Sequence, residues 1–128
     1  MNTLLLEKFV PFSAINMKEK DYFGRTGVEA FGEMLKSNLK KLGICIKDEE
    51  NPILPEKDGF GDYVCFVITE GDTLPKKLDI IIDSEGKIKF EISGGSLGSG
   101  KWTSIRTSRF LTIDKFNQEF EGIVKDLE

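Results

Sequence analysis

The segment from Lys77 to Ser93, KLDIIIDSEGKIKFEIS, constrains this chain more than any other. In an extended strand Ile88, Phe90 and Ile92 face one way, and Lys87, Lys89 and Glu91 face the other. A period of two fits a sheet with one buried and one wet face. Ser84-Glu85-Gly86 supplies the glycine that a short connection needs. The segment is expected to be an antiparallel hairpin, Lys77 to Asp83 and Lys87 to Ser93.

The apolar face of such a hairpin needs a cover, and two helical patterns can supply it. From Thr26, with Glu29 three residues on as a capping box, Val28, Phe31, Leu35, Leu39 and Leu42 recur at helical spacing. Lysines gather in the last turn, where the helix dipole favours cations, and Gly43 follows as the stop. The second pattern runs through Ile113, Phe116, Phe120, Ile123 and Leu127. Thr112 can cap it, and Leu111 with Phe116 makes a hydrophobic staple across the cap.

The remaining elements are shorter. Residues 3–9 could form a short helix after Asn2, and 11–24 read as loop. Residues 44–47 could be a short strand, and 48–62, with two prolines and two glycines, read as loop. Tyr63 to Thr69 is apolar at both alternating sets of positions, which suggests a central strand covered on both sides. Residues 94–100 read as a glycine-rich turn, and 101–107, rich in β-branched residues, as a strand. The order predicts an α+β fold. An antiparallel sheet of four to five strands is flanked by an N-terminal and a C-terminal amphipathic helix. The 128 residues fit one domain.

Composition enters where function is concerned. The chain holds no histidine. That removes Ser-His-Asp and Cys-His arrangements, histidine general bases and the HExxH zinc site. Two cysteines, Cys45 and Cys65, are too few for a disulfide framework, and both sit in apolar runs as small buried hydrophobes of a reducing compartment. No catalytic residue, metal or cofactor is expected. The N-terminal apolar run is cut by Glu7 and Lys8 and lacks a basic lead-in. No stretch reaches the roughly 20 apolar residues of a membrane span. The expectation is a cytoplasmic protein with no membrane partner.

Charge is distributed unevenly. Residues 48–72 hold Asp48, Glu49, Glu50, Glu56, Asp58, Asp62, Glu70 and Asp72 against one base, Lys57, a balance of −7 in a chain whose total is −4. Residues 94–110 hold Lys101, Arg106 and Arg109 and no acid. Such a field can steer association with a charged partner. The acidic residues do not match a calcium-loop spacing, and KDGFGD is a poor imitation.

Gly95-Ser96-Leu97-Gly98-Ser99-Gly100-Lys101 imitates a P-loop. That mechanism needs a hydroxyl after the lysine and a helix opening at the loop, and here Trp102 and a strand pattern follow. A softer expectation is an anion nest or interface contact made by Lys101, Trp102, Arg106 and Arg109, with Trp102, Ser104 and Arg106 on one strand face. Nucleic acid is disfavoured, because the pI is near 5.0 and fifteen of eighteen basic residues are lysines.

Three functions are compatible with these features. The leading one is a non-catalytic interaction domain. It would mask a basic partner such as a toxin nuclease, as a small acidic inhibitor or immunity protein does. The second is a small-ligand module that takes an anionic or nucleotide ligand at the 94–109 loop. The third is an enzyme using carboxylates or lysines, for which pairs such as Asp79 and Asp83 read as solvated surface. A strand at 101–107 on the sheet edge could also pair with a second copy as a homodimer.

Overall fold

The expected hairpin is the centre of the sheet. In a computed structural model, residues 11–12, 25–47, 56–57, 63–70, 74–83, 85–95 and 101–128 are described. Their order is α1 (Arg25–Lys41), β1 (Cys45–Ile46), β2 (Glu56–Lys57), β3 (Tyr63–Glu70), β4 (Lys76–Ile82), β5 (Ile88–Gly95), β6 (Trp102–Thr107) and α2 (Ile113–Leu127). The strands line up as β1-β3-β4-β5-β6, all antiparallel, and β2 also pairs with β3. The short helix expected at 3–9, and nearly all of the loop expected at 11–24, lie outside the described residues. So does the side chain of Thr26, the cap of the expected box.

Gly86 turns the β4–β5 hairpin at a φ of +81°, a conformation that a Cβ disfavours. Asp83 N–H donates to Lys87 O at 3.0 Å, and the Asp83 carboxylate accepts from the N–H of Glu85 and of Lys87 at 2.9 and 2.8 Å. Asp83 is thus a turn residue and not free surface charge. Gly43, at φ +86°, ends α1. Ile44 N–H reaches back to Leu39 O and Gly43 N–H to Lys40 O, the paired bonds of a Schellman stop. Thr112 caps α2 by accepting from Lys115 N–H at 3.2 Å.

One apolar cluster fills the space between helices and sheet. Phe31, Leu35 and Leu39 of α1 meet Cys65, Val67, Leu78, Ile80, Ile82, Ile88, Phe90 and Ile92 of the strands and Phe116, Phe120, Ile123, Val124 and Leu127 of α2. Phe116 is its aromatic hub, with ring centroids of Phe12, Phe31, Phe120 and Phe90 at 5.3, 5.7, 6.1 and 6.3 Å. Asn117 fixes Phe12 there through both amide atoms. Its Oδ1 accepts from Phe12 N–H and its Nδ2 donates to Phe12 O, each at 2.8 Å.

Three expectations need correction. The loop expected at 48–62 includes β2, because the backbone of β3 offers an open ladder that needs no apolar pattern. β3 is not covered on both faces by described elements. Cys65, Val67 and Thr69 are buried while Phe66 is 53% exposed. Finally, Cys45 is exposed and only Cys65 is buried. Ile44 and Ile46, on either side of it in the chain, are buried, so the period of two turns Cys45 outward. Burial, with a smaller contribution from Asp79, pushes the Cys65 thiol up to about 12. A thiol reagent is therefore expected to label Cys45 in the native protein and Cys65 only after unfolding, as mass spectrometry would show. Labelling of both at equal rates would contradict this packing.

Candidate functional site

Of the acidic segment the structure describes Glu56 in β2, at one edge of the sheet, and Glu70 at the end of β3, while β6 is the strand at the opposite edge. β4 occupies one edge of β3, so β1 and β2 share the other. Cys45 pairs with Glu70 and Ile46 with Thr69 at one end, and Glu56 with Val64 and Lys57 with Tyr63 towards the other. Glu56 is described as a strand residue, and Glu70 is exposed. Asp48, Glu49, Glu50, Asp58, Asp62 and Asp72 lie outside the described residues. Lys101, Arg106 and Arg109 belong to β6 and its flanks, three strand spacings from β3, or about 14 Å.

Within β6 the expected common face does not form. Ile92 pairs with Arg106, but Ser93 pairs with Ser104, so Ile105 is an extra residue in the ladder. This β-bulge reverses the alternation. Trp102, opposite Gly95, lies on the face away from the helices, where its ring is 5.4 Å from Lys77 Nζ. Arg106 turns to the helix side instead. Its guanidinium carbon stands 5.0 Å from the centre of the Phe90 ring, and Gly122 of α2 leaves room for it. Asp126 Oδ2 is 2.9 Å from Arg106 Nε and Glu119 Oε2 is 3.8 Å from Nη1. The Asp126 contact is an ion pair rather than an aligned hydrogen bond, since Nε and Nη2 are buried with no acceptor in line. Arg106 thus ties β6 to α2.

Beside it opens a cleft of about 240 Å³ lined by Phe90, Arg106, Thr107, Ser108, Arg109, Leu111 and Glu119. Arg109 is exposed at its rim. Ser108 is committed, its Oγ accepting from Phe90 N–H at 2.9 Å and donating to Arg109 O at 2.7 Å. An anion entering here would meet Glu119 as well as the two arginines. The strand β6 after the glycine-rich run also means that no helix N-terminus follows Lys101 to face a phosphate.

The helix-free face carries a second cluster, which no pattern in the sequence singled out. Lys77 Nζ stands 5.5 Å from the Phe66 ring centre as well as near Trp102, and 3.6 Å from Asp79 Oδ2. A Cβ at Gly95 would sit 3.2 Å from the Trp102 ring, so glycine there lets the indole lie across β5 towards β4. Asp79 is only 19% exposed. Burial raises its carboxyl above the usual range, Lys77 opposes the shift, and Glu91, its cross-strand partner on β5, adds to it. The fold thus holds this proton more tightly than the unfolded chain does. Stability contributed by the neutral form is present at low pH and is lost as pH rises from 3.8 through the raised folded value. Asp79→Asn is expected to remove that loss. In calorimetry, the Tm of the variant relative to the parent should grow from pH 4 to pH 7. An equal difference at both would refute the assignment.

No family model, curated protein or solved structure matches this chain. Among the described residues no helix is long and apolar enough to cross a membrane. A functional reading therefore rests on charge, topology and surface alone.

Proposed function

We propose that this chain is a non-catalytic, cytosolic interaction domain that docks a basic protein. It acts as a small acidic inhibitor or immunity-type protein does when it covers a cationic toxin such as a nuclease. The observation that carries this reading is the balance of −7 over residues 48–72. A field of one sign speeds encounter with an opposite charge and rejects like-charged partners. Two further points support it. Glu56 lies in β2 at one edge of the sheet, and the basic residues of β6 and its flanks lie at the opposite edge.

The test is a charge-reversed variant with Asp48, Glu49, Glu50, Asp58 and Asp62 changed to Lys, checked for unchanged circular dichroism and Tm. A basic protein recovered from the native host with the parent chain is purified and titrated against both forms. An affinity lower by about 100-fold for the variant is expected, with steep salt dependence for the parent alone. Equal affinity for both would overturn the reading. The cleft at Arg109 favours the ligand-module reading as a competitor. On the interaction reading, phosphate, pyrophosphate and ATP leave the parent Tm unchanged, whereas a ligand binding only the folded state raises it.

A further inference from the structure

The side of β3 that faces away from the helices is apolar. Val64, Phe66 and Ile68 alternate there with the buried Cys65, Val67 and Thr69, and Phe66 is 53% exposed. Strand register sets a row of side chains across the sheet at this level. Phe66 pairs with Asp79 of β4, and Asp79 pairs with Glu91 of β5. Residues opposite each other in a ladder share a face, and here that face is opposite to the buried Leu78, Ile80, Phe90 and Ile92. One exposed ring thus stands beside two carboxylates, at successive strand spacings of about 4.8 Å.

The row already holds a cation of the chain itself. Lys77 Nζ stands 5.5 Å from the Phe66 ring centre and 3.6 Å from Asp79 Oδ2, so ring and carboxylate act on it together. That single ammonium faces two acids. Burial raises the Asp79 carboxyl first and Glu91 raises it further, as like charges opposite each other in a ladder do. None of the ion pairs among the described residues includes Glu91. Lys89, two places before it on β5, pairs across the ladder with Ile81. A second cation on the open side of Phe66 would balance the row. A guanidinium suits that place better than an ammonium. It is flat enough to stack on a ring, and its fork of N–H donors can bridge two carboxylates. Val64 and Ile68 flank Phe66 along β3 and suit the apolar stem of an arginine.

We propose that this face is where the basic partner docks, with an arginine of the partner laid on the Phe66 ring and its guanidinium between Asp79 and Glu91. The inference rests on the reading of a basic protein partner and names the side chain by which that partner is held. β3 itself belongs to residues 48–72, so the contact is part of the acidic segment and its surroundings. Phe66, Asp79 and Glu91 are not among the five carboxylates changed in the charge-reversed variant, so the two readings can be separated.

The probe is a capped peptide, Gly-Leu-Arg-Leu-Gly, titrated into isotope-labelled protein and followed by NMR. Its counterpart carries citrulline, which keeps the shape of arginine without the charge. The amide resonances of Phe66, Asp79 and Glu91 are expected to move with the arginine peptide, with a Kd of about 1 mM, and to stay in place with the citrulline peptide. Phe66→Ala and Glu91→Gln, each checked for unchanged circular dichroism, should weaken the arginine peptide by about fivefold or more. Glu91→Gln keeps the shape of the side chain and decides alone if Phe66→Ala fails to fold. Resonances unmoved by the arginine peptide, equal movement with citrulline, or full affinity in either folded variant overturns the proposal. The purified partner separates the two failures. A partner lost by the charge-reversed chain yet bound equally by Phe66→Ala and Glu91→Gln overturns this contact and keeps the acidic-segment reading. A partner indifferent to charge reversal but weakened by both variants overturns that reading and keeps this contact.

Discussion

Phe116→Ala is expected to destabilise the protein by about 3–5 kcal/mol. At about 4 °C per kcal/mol for a domain of this size, that lowers Tm by about 12–20 °C. The side chain is fully buried, and four other rings surround it. These rings come from separate parts of the chain: Phe12, α1, β5 and α2 itself. The cavity left by alanine cannot close by moving one neighbour, because each ring is held by a different element. Collapse is thus poor, and cost rises with the volume left empty. A total stability of about 5–15 kcal/mol leaves little after such a loss. Urea denaturation checks the value through the midpoint, with the slope unchanged. Phe66→Ala is the control. Phe66 is half exposed on the helix-free face, so its removal should shift stability by only about 0.5 kcal/mol. Comparable losses for the two phenylalanines would show that the core is not where these contacts place it.

The difference between those two phenylalanines was not legible in the sequence. YVCFVIT is apolar throughout, and period two says only that Phe66 and Cys65 face opposite ways. Where polar and apolar residues alternate, one face is marked. That is why Ile88, Phe90 and Ile92 lie on the buried face as expected, whereas Gly43 and the Thr112 cap were legible because helix-end chemistry is local to a few residues. Cys45 shows the limit at a short edge strand, since an apolar triplet does not say which residue is outermost.

The β6 edge shows a different limit. A bulge adds one residue to a ladder and leaves no mark in composition, because Ser104, Ile105 and Arg106 would suit a regular strand equally well. Its effect is nevertheless to send Trp102 and Arg106 to opposite faces. The partners of Arg106, Glu119 and Asp126, come from a helix expected only to cover the core. Charge asymmetry is readable from the chain, whereas the placing of Glu56 and of β6 at opposite sheet edges depends on strand order, which long-range pairing sets.

Arg106→Ala should cost about 2–3 kcal/mol, the second largest loss expected here. The guanidinium has three neighbours: the Phe90 ring, Asp126 and Glu119. It is partly exposed, so solvent screens the ion pairs, and neither carboxylate alone should contribute more than about 1 kcal/mol. The rest comes from stacking on Phe90 and from what the deletion leaves behind. Asp126 is in the last turn of α2, where the helix dipole disfavours a carboxylate. Lys76 Nζ reaches the same helix end, donating to Asp126 O and Glu128 O at 2.8 and 3.1 Å, but it meets carbonyls and not the Asp126 side chain. Arg106→Lys should recover little, because an ammonium neither lies flat on Phe90 nor spans two carboxylates. Asp126→Asn should cost less than Arg106→Ala, and the double variant less than the sum, with a coupling of about 1 kcal/mol. Additive losses would mean that Arg106 acts through Phe90 alone. Stability of Arg106→Ala equal to that of the parent, with phosphate raising only the parent Tm, would instead make Arg106 a ligand contact, since a residue kept for a ligand gives its stabilisation when the ligand is bound.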